Sequence, residues 1–435
     1  MTTGPTFTQD NPGFAAPGFA SAHDSDPVRM GWMQGSPPPP DRVIRFADNS
    51  NRTFPKLRWA FSHTRELVPT RGIARHTGGT PVPTWTLPRA PREAEIDALA
   101  FTPTGAARTI TWADSLQANY TDGIVVLHRG RIVYERYAGA LSEQGQHIAM
   151  SVTKSFTGLL AAWLAHEGVF DPKRSVAHHV PDMAGCAFGD ATVRQVMDMT
   201  TALKYSENYA DPNAEIFDYV RAGHVISRPA TYQGPEGFQA YLLTLLKEGT
   251  HGQGFMYKTV NSDALAWVLH RTSGSDMASL LQERIWSRLG AEADAFIALD
   301  PSGAAVASGG FNCRLRDLAR FGEMIRLQGR YNGQQIVPAA VIADIRRGGS
   351  PQAFVPAGYK TLPGWSYRKQ WWISHDDHGA FMARGIHGQA IYIDPTAEMV
   401  IARFASHPLA GNMNLDPMSL PAYRAIADQL LRKPR

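Results

Sequence analysis

"SVTKSFTGLLAAWLA" (residues 151–165) opens on a serine with a lysine three positions later, then turns apolar. Phe156, Leu159, Leu160, Trp163 and Leu164 recur at the spacing of a buried helix face, and Gly168 stands where such a helix would stop. Residues three apart share a helix face, so Lys154 can reach the Ser151 hydroxyl. The helix N-terminus adds backbone N–H groups and a positive dipole end beside the serine. A serine hydroxyl is a weak nucleophile until a base takes its proton. Lysine is a base only when neutral, and pressing it against an apolar helix lowers its pKa. The stretch therefore reads as a nucleophile with its base.

Ser-x-x-Lys occurs twice, and context separates the copies. "SYRK" (366–369) reads as a charged connection into "QWW" with no helix behind it, whereas Ser151 follows a hairpin. That hairpin is "GIVVLH" and "RIVYERYAG", β-branched runs flanking Arg129-Gly130. Helices are expected near 90–100 and 112–120. From 151 to about 360 the pattern is mostly helical. Strand character returns at 369–374, 387–394 and 398–406, and "PAYRAIADQLLRK" reads as a closing amphipathic helix. Strands at both ends around a helical middle predict one sheet assembled from distant segments, with a helical lobe inserted. The mixed lobe is expected from about 85–150 and 365–435, and the helical lobe from about 151–364. Residues 1–55, rich in Pro and Gly and including "SPPPP", read as a poorly ordered arm or as irregular chain draped on the body.

The 435 residues are 43% hydrophobic and 19% charged, an ordinary globular balance. A net charge of +4 without long basic runs makes nucleic acid and anionic membrane poor partners. The longest uncharged apolar run, 158–165, is far short of a membrane span of roughly 20 residues. No secretory signal is visible in the first thirty residues. Two cysteines without C-x-x-C spacing exclude a disulfide framework, and a reducing cytoplasm is the expected compartment. There is no G-x-S-x-G elbow, "HEGVF" lacks the second His of a zinc protease, and "HDDH" at 375 reads as a solvated turn.

Two further stretches carry chemistry. Tyr257, in "FMYKTVNSDALAWVL", precedes a helix and belongs on a loop at its entrance. In "ARGIHGQAIYIDP", Gly385 and Gly388 straddle Ile386 and His387 at the start of a strand, where backbone can approach a ligand closely.

Ser-x-x-Lys, a Tyr loop in a helical lobe and then a Gly-bearing strand resemble, in that order, the penicillin-recognising serine hydrolases: β-lactamases, D,D-peptidases and related esterases. "LRWAFSHTRELVP", "MSVTKSF", "YSENYADPNAEI", "YKTVNSDALAWVL", "SGGFNC", "RDLARFG", "RKQWW" and "GIHGQAIYIDP" are similar to the 6-aminohexanoate-dimer hydrolase branch, over roughly residues 55–432. The resemblance implies a β-lactamase-like α/β (α+β) fold over 56–435, an antiparallel sheet flanked by N- and C-terminal helices plus the helical lobe. It implies a serine hydrolase without metal or cofactor, acting on a small-molecule amide or ester, with a homodimer left open. Ser151 becomes the acylated nucleophile, Lys154 its base and Tyr257 the proton relay to the leaving group. The N–H groups of Ser151 and Ile386 become the oxyanion hole. Tyr209, Asn261, Trp372 and His387 become candidate substrate contacts. Two departures stand out. Lys258-Thr259 follow Tyr257 where a Tyr-x-Asn is usual, and Ala383-Arg384-Gly385 replaces Lys-Thr-Gly. Arg384 is then the candidate cation for a β-lactam carboxylate. The alternatives are a carboxylesterase without amide-oligomer activity, a β-lactamase or D,D-peptidase type of enzyme, and an inactive binding protein.

Overall fold

Arg129 and Gly130 both adopt left-handed backbone (φ 51° and 74°), as a two-residue turn matched to the twist of its strands requires. The computed structural model describes residues 16–77, 83–209 and 211–432. The turn joins β1 (Thr121–His128) to β2 (Arg131–Tyr137). Five more strands come from the far end of the chain: β3 (Ser366–Arg368), β4 (Trp371–Ile373), β5 (Phe381–Gly385), β6 (Gln389–Asp394) and β7 (Met399–Ala405). They form one seven-stranded sheet in the order β3-β4-β5-β6-β7-β1-β2. Every neighbouring pair is antiparallel, and Ala402 faces Val125 where the two ends of the chain meet.

Both faces of the sheet are buried, and the period of two decides which residue serves which face. Val125, Leu127, Ile391, Val400 and Ala402 belong to one cluster, while Ile124, Val126, Tyr392 and Ile401 belong to the other. Helices α1 (Trp112–Ala118), α2 (Val152–His166), α3 (Val260–Ser273), α4 (Leu315–Arg326) and α5 (Asp416–Leu431) frame it. Trp112 of α1 and Met418, Tyr423 and Ile426 of α5 cover one face. Phe156 and Leu159 of α2, and Leu318, Phe321 and Met324 of α4, cover the other.

Three expectations need correction. The helical middle contains strands: Ala295–Ala298 and Phe311–Cys313 pair with each other and with Thr70–Ile73 and His147–Ile148 in a four-stranded sheet. Helix α4, also inside 151–364, packs on the main sheet. Its apolar residues are periodic, and periodicity does not say which lobe they face. "SYRK" is not a connection but strand β3 and its turn, for it pairs with β4 through Tyr367 and Trp372.

Residues 16–55 lie against the body in turns and short 3-10 segments, Pro40–Arg42 and Ser50–Arg52. Tyr120 anchors them, its hydroxyl donating to the Ala20 carbonyl at 2.8 Å and accepting from the Ala16 N–H at 3.1 Å. Ile44 and Trp59 form a second buried patch. Residues 1–15 lie outside the described residues. Among the described residues no helix is long and apolar enough to cross a membrane.

Candidate active site

Met150, immediately before α2, is held at φ 46°, a left-handed conformation that a bulky side chain rarely adopts. This sharp entry places Ser151 at the N-cap of α2, partly exposed, while Lys154 one turn on is only 2% exposed. The Lys154 ammonium donates to Ser151 Oγ at 2.9 Å and to the Ser308 carbonyl at 2.8 Å. Burial pushes its pKa down to about 8, against the opposing pull of Glu207 and Asp263. The Tyr257 hydroxyl is turned toward the Ser151 side chain, and Lys154 Nζ lies 5.2 Å from the centre of the Tyr257 ring. Burial and Glu207 raise the Tyr257 phenol well above its usual range, so it keeps its proton at neutral pH. Ser151, Lys154 and Tyr257 thus meet at one point, from the entries of two helices distant in sequence.

Strand β5 closes this point from the other side. A Cβ on Gly385 would lie 2.8 Å from the Ala149 carbonyl and 3.0 Å from the Ser151 nitrogen, closer than side-chain carbons come. Glycine lets the strand end lie flush against the serine's backbone, with Ile386 next in line. Ile386 packs beside Met150 and Ile148.

The β-lactamase family pattern matches residues 109–417, most of the chain. The chain belongs to the β-lactamase family. It is 33% identical over 356 residues to a 6-aminohexanoate-dimer hydrolase of Paenarthrobacter ureafaciens, covering 81% of this chain and 86% of that protein. A solved structure from Bacillus anthracis, provisionally named a 6-aminohexanoate-dimer hydrolase, superimposes with a TM-score of 0.80 at 30% identity. It covers 90% of this chain and all of that one. A family VIII carboxylesterase shares the fold alone, with a TM-score of 0.53 at 17% identity over 72% of this chain and 96% of that one.

The other expected residues of this β-lactamase-family site divide. Tyr209 stands at the mouth with 40% of its surface exposed, its hydroxyl donating to Glu207 at 3.1 Å. Asn261 does not face the cleft. It is fully buried, accepting from the Thr201 hydroxyl at 2.7 Å and donating to the Lys258 carbonyl at 2.9 Å. Trp372 is likewise not a free substrate surface. At 5% exposure it stacks on Tyr257 (centroids 5.5 Å apart) and lies under the Arg384 guanidinium, so it supports the phenol from behind. His387 donates from Nδ1 to the His407 carbonyl at 2.6 Å, and its ring meets the edge of Phe61. Its imidazole braces the Ile386 turn. Arg384 is buried and ion-paired to Asp416, and so is not an open cation. Lys258, where the family motif departs, donates to the Leu203 carbonyl.

Sequence reasoning missed Glu207, Ser308 and Asp263. Glu207 accepts from the backbone and hydroxyl of Thr259 and from Tyr209, tying the mouth to the turn that carries Tyr257. Ser308 acts through its backbone carbonyl, which no residue type announces. Asp263 is buried behind Lys154 with its pKa raised to about 6 by desolvation, and Tyr219 donates to it. The second Ser-x-x-Lys is committed elsewhere: buried Ser366 bonds His375 at 2.7 Å, and Lys369 pairs with Asp344. Among the described residues no group of three or more His, Cys, Asp or Glu is arranged to hold a metal ion.

Proposed function

We propose that the protein is a serine hydrolase that cleaves linear amides or short-chain carboxylic esters through an ester on Ser151. One observation carries the reading: a buried lysine, its pKa near 8, hydrogen-bonded at 2.9 Å to a serine oxygen at a helix N-terminus. Neutral Lys154 takes the Ser151 proton as Oγ attacks the substrate carbonyl. The N–H groups of Ser151 and Ile386 receive the negative charge that develops on the carbonyl oxygen. Tyr257, which holds its proton, donates it to the departing amine or alkoxide and is reprotonated from Lys154. Water then enters where the leaving group left, and the same groups run in reverse to release the acid and restore Ser151. The named relative, a 6-aminohexanoate-dimer hydrolase, supports the amide arm, and short activated esters need only the nucleophile and the oxyanion site.

Ser151→Ala should lower kcat by on the order of 10⁴-fold or more, Lys154→Ala by a similar factor, and the double variant by little beyond either. Tyr257→Phe should reduce amide hydrolysis by about 10²- to 10⁴-fold and p-nitrophenyl acetate hydrolysis distinctly less, because nitrophenolate leaves without a proton. Near-native turnover in Ser151→Ala, or failure of a fluorophosphonate probe to label Ser151 in the wild type, would refute the reading and favour a binding protein.

A further inference from the structure

The most buried arginines of this protein are paired or bonded. Arg58 reaches Asp122, the Ala22 carbonyl and the hydroxyls of Ser25 and Ser406, Arg320 pairs with Asp317 and Glu292, and Arg384 pairs with Asp416. Arg52 differs. Its Nε is shielded from solvent without a hydrogen-bond partner, and among the described residues no carboxylate pairs with it. Arg52 is half-buried, as are Arg194 and Arg314, whose Nε atoms also lack partners; its place beside the serine's neighbours sets it apart, and the five donors of a guanidinium in a fixed fork match a carboxylate.

The arm holds this residue in place on both sides. Three residues before it, Asn49 accepts from the Ser227 N–H at 2.7 Å and donates to the Ser227 hydroxyl at 3.0 Å; Phe46 meets the His224 ring edge at 4.8 Å. Two residues after it, Phe54 packs into the cluster of Ile148, Met150 and Ile386. Residues 224–227 belong to the helical lobe, and Met150 and Ile386 flank the serine. Arg52 therefore sits on a segment held between the helical lobe and the residues that flank the serine.

We infer that Arg52, delivered by the N-terminal arm, anchors a carboxylate carried by the substrate at the end away from the scissile bond. Its charge acts on Tyr209 and His387, which border the same mouth, and burial lowers its own pKa to about 10, still charged at neutral pH. The arm thereby supplies a cation that Arg384, committed to Asp416, does not. This inference rests on the Ser151 reading above and narrows its substrates to acids bearing an amide or ester.

Two isosteric pairs test it and say on which side of the scissile bond the acid lies. Mono-p-nitrophenyl adipate against p-nitrophenyl hexanoate places the charge on the acyl side. N-Acetyl-6-aminohexanoate against N-hexylacetamide places it on the leaving side. Arg52→Gln should lower kcat/KM for the charged member of at least one pair by about ten- to a hundredfold, mainly through KM, and change the neutral members less than twofold. Arg52→Lys should restore part of that preference, and added salt should erode it in the wild type. Equal losses on charged and neutral members, or no change in their ratio, would overturn the assignment while leaving neutral-ester turnover, and hence the Ser151 reading, intact. If the glutamine variant does not fold, inhibition of wild-type neutral-ester turnover decides: hexanoate should compete well and hexanamide poorly, and equal inhibition overturns the assignment.

Discussion

At the scale of the residue, Lys154, the proposed base, should set the working pH. An ordinary lysine, with a pKa of about 10.4, is almost wholly charged at pH 7 and cannot take a proton from serine. Desolvation by burial brings the group down to about 8, while Glu207 and Asp263 oppose a further fall. In the proposed mechanism the active form is the neutral amine, so activity should be absent well below the folded pKa and complete above it. kcat/KM on a neutral p-nitrophenyl ester, extrapolated for background hydrolysis, should rise about tenfold between pH 6 and 7 and level off above about pH 8. Glu207→Gln should shift that inflection downward, because the carboxylate that favours the charged lysine is gone. An inflection above pH 10 would mean that Lys154 is not the base.

At the scale of the element, α2 must arrive in register with the sheet as well as with its own cap. Gly158 makes this possible: a Cβ there would lie 2.0 Å from the Lys369 carbonyl, in the turn between β3 and β4. That turn is itself held in left-handed backbone at Lys369 and Gln370 (φ 48° and 63°). Ser155 donates to the Gln370 carbonyl at 2.7 Å, Ser262 to its side-chain oxygen at 2.8 Å, and Asp198 accepts from the Lys369 N–H at 2.9 Å. One clamp thus joins α2, α3 and the strand that carries Trp372, and so fixes Ser151, Tyr257 and the ring behind Tyr257 relative to one another. Gly158→Ala pushes α2 off the turn and should destabilise the protein by about 1–3 kcal/mol in urea unfolding. It should also lower kcat, since Ser151 rides on the displaced helix. A variant with native stability and turnover would show that the contact is not structural.

At the scale of the whole molecule, the sheet unites residues 121–137 with 366–405, and its strand end at Gly385 lies against Ser151 at the start of α2. Arg384 belongs to this assembly, joining β5 to Asp416 at the start of α5, with Trp372 under its guanidinium. Breaking such a buried pair from one side leaves an uncompensated charge, so Arg384→Ala should cost about 3–5 kcal/mol of stability by thermal or urea unfolding. A chromogenic cephalosporin should be turned over negligibly by the wild type beside clear hydrolysis of short acyl esters. Efficient cephalosporin turnover that Arg384→Ala abolishes without loss of stability would reverse this assignment.

Some of this was legible along the chain. The Ser151–Lys154 pair, the Arg129-Gly130 hairpin and the return of strands after residue 365 are local patterns: helical spacing, turn chemistry and alternation act over a few residues. They suffice for an antiparallel sheet built from both ends of the chain with helices between. Position in space is another matter. Asn261 and Trp372 stand beside the right motifs, yet packing buries one behind the cleft and sets the other beneath Tyr257. Arg384 carries the expected charge, but a partner 32 residues away neutralises it. Arg52 lies in a Pro- and Gly-rich arm without periodicity, and only the docking of Asn49 on Ser227 and Phe54 beside Ile386 brings it to the mouth. Sequence determined which chemistry the chain carries, because residue type and short spacing encode it. Tertiary structure alone decided which charges are paired and which side chains meet at Ser151, because pairing and desolvation depend on contacts between residues far apart in the chain.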